Sequence, residues 1–124
     1  MLKGNFYSII QKKEIENELY YWIKLNENHE IYKGHFPEVS VTPGVCQVTI
    51  IKECLEEKLK KKISLISARE IKFPNLNNPK ENSEILVKIV YDLQEDDTFK
   101  VLASISAENS IFLKLKGEYS AGSL

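Results

Sequence analysis

Apolar and polar residues follow two different periods along the chain, and the change of period marks the predicted elements. The segment Glu18–Leu25 is aromatic and β-branched with partial alternation, which predicts a strand. The polar segment from Asn26 to Gly34 predicts a loop. A helix is predicted next, up to about Lys60, because Thr42 is a good N-cap residue and Pro43 suits the first helical position.

The two halves of this helix differ in polarity. The first half, Val45–Ile51, is almost wholly apolar, with Gln47 and Thr49 as the exceptions. The second half is amphipathic and ends in the charged run 60–62. We therefore expect the first half to be surrounded by protein and the last turn to reach solvent.

Four strand-like stretches follow the helix. Polar turn signals at 95–98 and 108–109 separate the last three, which is typical of an antiparallel meander. Two prolines make the segment from Pro74 to Pro79 a loop, since proline cannot sit inside a central strand. The predicted strands are Ile63–Phe73, Glu84–Tyr91, Phe99–Ala107 and Ser110–Tyr119.

One early, mostly buried helix followed by a run of antiparallel strands predicts an α+β fold in which a sheet wraps around a single long central helix. The 124 residues are enough for one domain, which we expect to span 1–124. With 43% hydrophobic and 28% charged residues, the chain can form a core and is not disordered by composition.

Charge and apolar runs exclude several classes of function. The net charge of −1 argues against a protein that coats nucleic acid. No apolar run approaches the roughly 20 residues that a membrane helix needs, and no secretion signal is visible near Met1, so we expect a cytoplasmic protein without a membrane partner. Cys46 and Cys54 lie eight residues apart, about 12 Å along a helix, which is too far for a disulfide; we expect both to be buried and reduced.

The stretch 34–45, GHFPEVSVTPGV, is the part of the chain best suited to chemistry. Its last residues begin the helix, where the N–H groups of Gly44 and Val45 have no acceptor within the helix and the helix dipole favours negative charge. A carbonyl oxygen placed there would be polarised as in an oxyanion hole, and glycine leaves room for it. His35 can act as a base on the carbon next to that carbonyl.

This stretch resembles the signature GHFPG-x-P-(V/I)-x-PGV of the 3-hydroxyacyl-(acyl carrier protein) dehydratases, which are hot-dog-fold enzymes of fatty-acid synthesis. A weaker likeness follows from Lys72 to Pro79, where that family has a segment lining its acyl tunnel. The resemblance implies a lyase that removes water from a 3-hydroxyacyl thioester and yields a 2-enoyl thioester. It also implies a hot-dog fold.

Carried over residue by residue, the resemblance makes His35 the base that takes a proton from C2. It makes the Gly44 amide the donor to the thioester carbonyl. The position of the family's acid, contributed from the helix of the partner protomer, is Thr49 in this chain. The residues expected to contact the substrate are Phe36, Pro43, Val45, Gln47 and Phe73.

Threonine at this position is a departure from the family, because its hydroxyl cannot act as a general acid near pH 7. Three alternatives stay open: Thr49 and Gln47 hold a water that relays the proton, Glu53 supplies a carboxyl group one turn further on, or the chain binds acyl thioesters without dehydrating them. In addition, Glu38 replaces a family glycine and Ser40 a family proline.

The last alternative includes a non-catalytic partner subunit and a hot-dog thioesterase. The implied substrates are thioesters of acyl carrier protein or coenzyme A, and the implied assembly is a homodimer or a higher oligomer of dimers. Lys33, Lys72 and Lys80 are candidate contacts for an acidic carrier protein. No metal-ligand spacing or phosphate-binding loop is present, so we expect no metal and no cofactor.

Overall fold

The computed structural model describes residues 1–34 and 39–121, and it contains a six-stranded sheet in which every neighbouring pair is antiparallel. The order across the sheet is β1-β2-β4-β5-β6-β3. The strands are β1 (Tyr7–Ile15), β2 (Glu18–Leu25), β3 (Ser64–Lys72), β4 (Glu84–Leu93), β5 (Thr98–Ala107) and β6 (Ser110–Ser120). The helices are the short α1 (Ile31–Gly34) and the long α2 (Gly44–Leu59), with a 3₁₀ turn at Glu95–Asp97.

Five of the six strands lie where the sequence predicts them, with ends that differ by two residues at most. The predicted meander is confirmed, because β4, β5 and β6 are consecutive in the sheet. The strand β1 was not predicted. It is an edge strand, most of its side chains are exposed, and its register with β2 is broken between Ile9 and Gln11. A strand of this kind lacks the alternation of a half-buried strand.

The core lies between α2 and one face of the sheet. Strands β2, β4, β5 and β6 alternate buried and more exposed side chains, so every second residue packs toward the helix. The helix contributes Cys46, Ile50, Ile51, Cys54 and Leu55, all at most 4% exposed. The expectation of a sheet around one central helix is confirmed. Cys46 and Cys54 are both buried free thiols, as expected.

The N-terminal half of α2 is surrounded by protein on one side only within the single chain, so the expectation that it is fully surrounded stays a prediction about the assembly. Within the single chain, Val45 is 73% exposed and Val48 and Thr49 are half-buried, so one apolar side of the helix is uncovered. These residues have the i, i+3, i+4 spacing of a single helix face. The apolar run is thus divided between a face that packs on the sheet and a face that no described part of the chain covers.

The start of α2 also differs from the prediction. Pro43 occupies the cap position, and no side chain caps the helix. The predicted cap, Thr42, is 2% exposed and donates its hydroxyl proton to Asn77 Oδ1, in the loop after β3. Because that proton goes to Asn77, the Tyr32 hydroxyl donates to Thr42 Oγ1, at 3.0 Å. The Thr42 N–H also donates to the Asn77 carbonyl at 2.9 Å.

This network joins three segments that are far apart in the sequence. Tyr32 belongs to α1, in the region predicted as loop, and its ring stacks on Phe6 at a centroid distance of 5.4 Å. Asn77 Nδ2 donates to the Asn82 carbonyl at 3.2 Å and so fixes its own loop. Burial raises the pKa of Tyr32 to about 12, which keeps the hydroxyl protonated as the network requires. The backbone that leads into α2 is therefore held from both sides.

No helix within residues 1–34 and 39–121 is long and apolar enough to cross a membrane.

The network predicts unequal costs for two substitutions. Thr42→Val leaves both the Asn77 side-chain oxygen and the Tyr32 hydroxyl without their partner, so we expect it to lower the free energy of unfolding by about 2 kcal/mol or more. Tyr32→Phe keeps the bond from Thr42 to Asn77, and we expect a loss of about 1 kcal/mol. Urea unfolding of the two variants measures the difference, and equal losses would contradict the proposed direction of the bonds.

Candidate active site at the start of the long helix

Two backbone N–H groups at the start of α2 are free to bind a ligand. The N–H groups of Cys46 and Gln47 donate to the Pro43 carbonyl at 3.1 and 3.2 Å. Those of Gly44 and Val45 have no acceptor in the described part of the chain. Since the positive end of the helix dipole lies here, the pair forms a site for a polarised carbonyl oxygen or an oxyanion. This is the arrangement that the sequence predicts for Gly44.

Phe73 lies directly over Gly44. A Cβ atom at position 44 would be 2.7 Å from Cζ of the Phe73 ring, closer than real side chains approach. The ring is 43% exposed, so it packs on the glycine with one side and faces solvent with the other. Glycine is therefore required here by close packing, and its φ is not in the left-handed region. The structure brings together these two residues, which the sequence assigned to the same site.

Gln47 lies one turn after Gly44 and is 3% exposed. Its Nε2 donates to the Thr42 carbonyl at 3.3 Å, so the side chain turns back toward the start of the helix. Its Oε1 is buried and has no hydrogen-bond partner among residues 1–34 and 39–121. An unpaired buried acceptor costs free energy, so Oε1 is a candidate acceptor for a hydrogen bond from a water or a ligand.

Thr49 does not present its hydroxyl proton to the site. Oγ1 donates to the Val45 carbonyl at 2.8 Å, the common bond of a helical threonine to its own helix. The hydroxyl oxygen can still accept a hydrogen bond, but its only proton is already donated. Thr49 thus offers neither a carboxyl group nor a free donor at the family's acid position.

Glu53 is bound to the N-terminal segment. Its carboxylate accepts the N–H groups of Leu2 at 2.8 Å and Lys3 at 3.0 Å, and the Tyr7 hydroxyl at 3.0 Å. Burial, with smaller effects from Cys54 and Glu53, raises the pKa of Tyr7 well above its usual range, so this hydroxyl stays a donor. A role for Glu53 as proton donor stays a prediction, although these three bonds give it a clear role in attaching the N-terminal segment to α2.

The remaining predicted site residues are placed as follows. Pro43 is half-buried at the cap position, and Val45 is exposed beside the free amides. His35 and Phe36 lie outside the described residues, and so does Glu38. Their roles stay predictions.

The docking candidates Lys33, Lys72 and Lys80 are all exposed. Lys33 lies in α1, Lys72 ends β3 and Lys80 belongs to the loop that carries Asn77. Their role in binding a carrier protein stays a prediction.

Sequence reasoning missed two residues that shape the site, Tyr32 and Asn77. Neither touches the free amides directly through a described bond, but both fix Thr42, which immediately precedes Pro43. The available signal was weak: Asn77 belongs to a loop whose asparagines and prolines predict only a turn. Its buried contact with Thr42 depends on a separation of 35 residues, which local patterns do not report.

A helix held inside a curved antiparallel sheet, with free amides at its N-terminus under an aromatic side chain, defines the protein as a hot-dog-fold protein with a candidate thioester-binding site. A family model described as ApeI-like, ApeI dehydratase, matches residues 11–113. The chain therefore belongs to the ApeI-like dehydratase family. This confirms, at the level of the family, the resemblance to hot-dog dehydratases.

Solved structures agree with this fold. The ApeI:P dehydratase heterocomplex from Xenorhabdus doucetiae is 19% identical and has a TM-score of 0.71, over 90% of this chain and 96% of that one. The dehydratase domain from the CurJ module of curacin polyketide synthase is 15% identical with a TM-score of 0.62, over 94% of this chain and 42% of that one. These likenesses confirm the hot-dog fold. No curated protein sequence matches the chain significantly.

The contact between Gly44 and Phe73 predicts a coupled pair of substitutions. We expect Gly44→Ala to destabilise the fold by about 1–3 kcal/mol, because the new methyl group overlaps the ring. In a Phe73→Ala background the same change has space, so its cost should fall by about 1 kcal/mol or more. A double-mutant cycle by urea unfolding measures this coupling. Strictly additive effects would show that the ring does not restrict position 44.

Proposed function

We propose that this chain is the substrate-binding and catalytic subunit of a dehydratase that converts a 3-hydroxyacyl thioester to a 2-enoyl thioester. The observation that carries the proposal is the pair of free N–H groups of Gly44 and Val45 at the start of α2. They suit a thioester carbonyl, whose oxygen gains negative charge when C2 loses a proton. Membership of the ApeI-like dehydratase family supports the same reaction.

The reaction requires a base, an oxyanion site and a proton for the departing hydroxyl. In the proposal His35 takes the C2 proton, and the electron pair passes into the C1–C2 bond to give an enolate held by the Gly44 amide. The C2=C3 double bond then forms as the C3–O bond breaks, and the hydroxyl leaves as water after gaining a proton. The assignment of His35 rests on its place in the motif, since it lies outside the described residues.

The proton for the leaving hydroxyl is the unusual part of this site. A positioned general acid contributes about 10²- to 10⁴-fold to such a step, and Thr49 cannot supply it. Among the alternatives, we propose the relay: a water held by Gln47 takes up the proton that His35 has removed from C2 and passes one of its own to the leaving hydroxyl. Its buried Oε1 has no hydrogen-bond partner among the described residues, whereas the Glu53 carboxylate already accepts three hydrogen bonds. The bonds of Glu53 oppose the alternative in which it moves to the substrate.

The substrate and the assembly belong to the same proposal. We propose a thioester carried by acyl carrier protein or coenzyme A, in fatty-acid or related acyl-chain synthesis in the cytoplasm, and a homodimer or an oligomer of dimers. The uncovered side of α2 at Val45, Val48 and Thr49 supports a second subunit, because it places an apolar surface next to the free amides. A subunit seated there would close the site from water.

A second candidate function is a non-catalytic partner subunit that binds acyl thioesters. One observation favours it: every glutamate of α2 is already engaged. The Glu53 carboxylate binds the N-terminal segment, Glu56 accepts the Ile63 N–H at 2.9 Å, and Glu57 pairs with Lys3 and Lys12. The ApeI:P structure is a heterocomplex, which supports a second kind of subunit.

Turnover of a 3-hydroxyacyl thioester tests the proposal. We expect the purified protein to convert a 3-hydroxyacyl-pantetheine thioester to the 2-enoyl product, measured by absorbance of the conjugated thioester. His35→Ala should reduce kcat/KM by about 100-fold or more, as expected for loss of a base. His29→Asn is the matched control: His29 Nδ1 accepts the Ile31 N–H at 3.1 Å, a bond that asparagine Oδ1 can replace, so the rate should be unchanged.

Two other outcomes would decide against the dehydratase, and a third would decide against His35 as its base. Binding of the thioester without turnover would favour the non-catalytic subunit. Release of free thiol from saturated and hydroxylated thioesters alike would identify a thioesterase. Equal activity of His35→Ala and the wild type would remove His35 as the base.

The source of the proton is tested by Gln47→Leu beside Glu53→Gln. We expect Gln47→Leu to slow turnover roughly tenfold or more while the free energy of unfolding changes by less than about 1 kcal/mol, because the substitution also removes an unpaired buried oxygen. Glu53→Gln should behave in the opposite way, with lower stability and an unchanged kcat. A large loss of kcat in Glu53→Gln, with an unchanged rate in Gln47→Leu, would instead assign the acid to Glu53.

A further inference from the structure

The face of the sheet that points away from α2 carries a group of lysines on the three strands β3, β6 and β4, with β5 between the last two. Lys72 of β3 is directly opposite Lys114 of β6, and Lys114 is opposite Ser104 of β5. Ser104 in turn is opposite Lys88 of β4. Lys116 lies two residues along β6 on the same face. We refer to Lys72, Lys88, Lys114 and Lys116 as the lysine cluster.

The positive charge of the lysine cluster is only partly balanced. Lys72 pairs with Glu70 at 2.7 Å. Lys114 and Lys116 form no ion pair in the part of the chain that the structure describes. Like charges directly opposite each other on neighbouring strands, such as Lys72 and Lys114, destabilise a sheet. An external carboxylate between them would remove this repulsion.

Glu70, a carboxylate close to Lys72, Lys114 and Lys116, responds to all three. Lys72 lowers the pKa of Glu70 through a hydrogen bond and its charge, and Lys116 and Lys114 lower it further. The same field acts on any anion that approaches the surface.

Lys88 extends the positive surface across β4. Its ammonium group is 3.7 Å from Glu18 and 5.6 Å from the centroid of the Tyr20 ring. At 3.7 Å this exposed pair is weak, so Lys88 remains available to a second carboxylate.

The surface between the lysines is apolar. Val90 and Leu102 line the same depression of about 330 Å³ as Lys88, Lys114 and Lys116. Leu102 is 53% exposed. An acidic helix with apolar residues beside its carboxylates complements such a mixed surface. A nucleic acid is less suitable, because the whole chain is acidic by one charge and the depression also contains Glu70.

The spacing of the lysine cluster suits a helix that lies across the strands. Neighbouring strands are about 4.8 Å apart, and carboxylates one helical turn apart are separated by about 5.4 Å along the axis. Carboxylates one turn apart can therefore meet Lys72 and Lys114 on adjacent strands, and a carboxylate two turns further can meet Lys88, because β5 between them carries Ser104.

The position of the lysine cluster connects it to the candidate active site. Lys72 immediately precedes Phe73, the residue that packs on Gly44. A partner docked on the lysine cluster would thus lie at the edge of the sheet that leads to the free amides.

We propose that the lysine cluster docks an acidic helix of the carrier protein that delivers the acyl thioester. The proposal rests on the proposed function, because the cargo is the substrate of that site. It replaces Lys33 and Lys80 as the main docking residues and retains Lys72.

The test compares two double variants that remove equal charge. Lys114→Gln/Lys116→Gln changes the lysine cluster, and Lys61→Gln/Lys62→Gln changes two exposed lysines just beyond the end of α2. The probe is an acidic acyl carrier protein loaded with a 3-hydroxyacyl chain, and binding is measured by calorimetry at 50 and 300 mM salt. We expect the first variant to bind roughly tenfold more weakly and the second to bind like the wild type. The wild-type affinity should fall with salt.

The small pantetheine thioester separates this proposal from the proposed function. If the dehydratase assignment fails, neither form of the substrate is turned over, yet the carrier protein still binds through the lysine cluster. If docking fails, the pantetheine thioester is turned over while Lys114→Gln/Lys116→Gln leaves kcat/KM for the carrier-bound substrate unchanged. No binding of the carrier protein, an equal loss in the control variant, or tighter lysine-dependent binding of duplex DNA or anionic vesicles would each overturn the docking proposal.

Discussion

The proposed ligand site requires that N–H groups at the start of α2 stay without a protein acceptor. N–H groups at a helix N-terminus are commonly capped by a side chain, and a cap from Thr42 would have satisfied one of those at this helix end. The structure instead uses the Thr42 hydroxyl to bind Asn77. The helix end is therefore positioned without being capped, and the Gly44 and Val45 amides stay available to a ligand.

The fold was predictable because most of its elements carry a strong local pattern, and the exceptions have physical causes. The strand Glu18–Leu25 and the helix that begins near Gly44 have clear apolar periods. Strand β1 lies at the edge of the sheet with most of its side chains exposed, so its sequence need not alternate apolar and polar residues. The cap assignment of Thr42 failed because a tertiary partner outcompeted the local bond. Local propensity cannot predict a contact with a residue such as Asn77, which is 35 positions away in the sequence.

The sequence predicted some residues of the candidate site better than others. That the Gly44 N–H has no acceptor follows from elementary helix chemistry, and the described part of the chain agrees; its role toward a thioester stays a prediction. The identity of the proton donor depends on which polar atoms already have hydrogen-bond partners. Tertiary packing, which local sequence patterns do not show, decides which atoms are paired. Glu53 looked available in the sequence, but its carboxylate is bound by the N-terminal segment, while the apolar-flanked Gln47 has an oxygen with no described partner.

Because side chains alternate in β3, the proposed docking surface lies next to the candidate active site. Successive residues of a strand point to opposite faces, so Lys72 joins the outer lysine cluster while Phe73, just beyond the strand, reaches Gly44. A carrier protein that binds Lys72 would therefore act on the backbone that places the Phe73 ring. In the proposed docking, the carrier protein and the thioester would therefore lie at adjacent residues of one short piece of chain, because Phe73 packs on the glycine whose amide is the proposed donor.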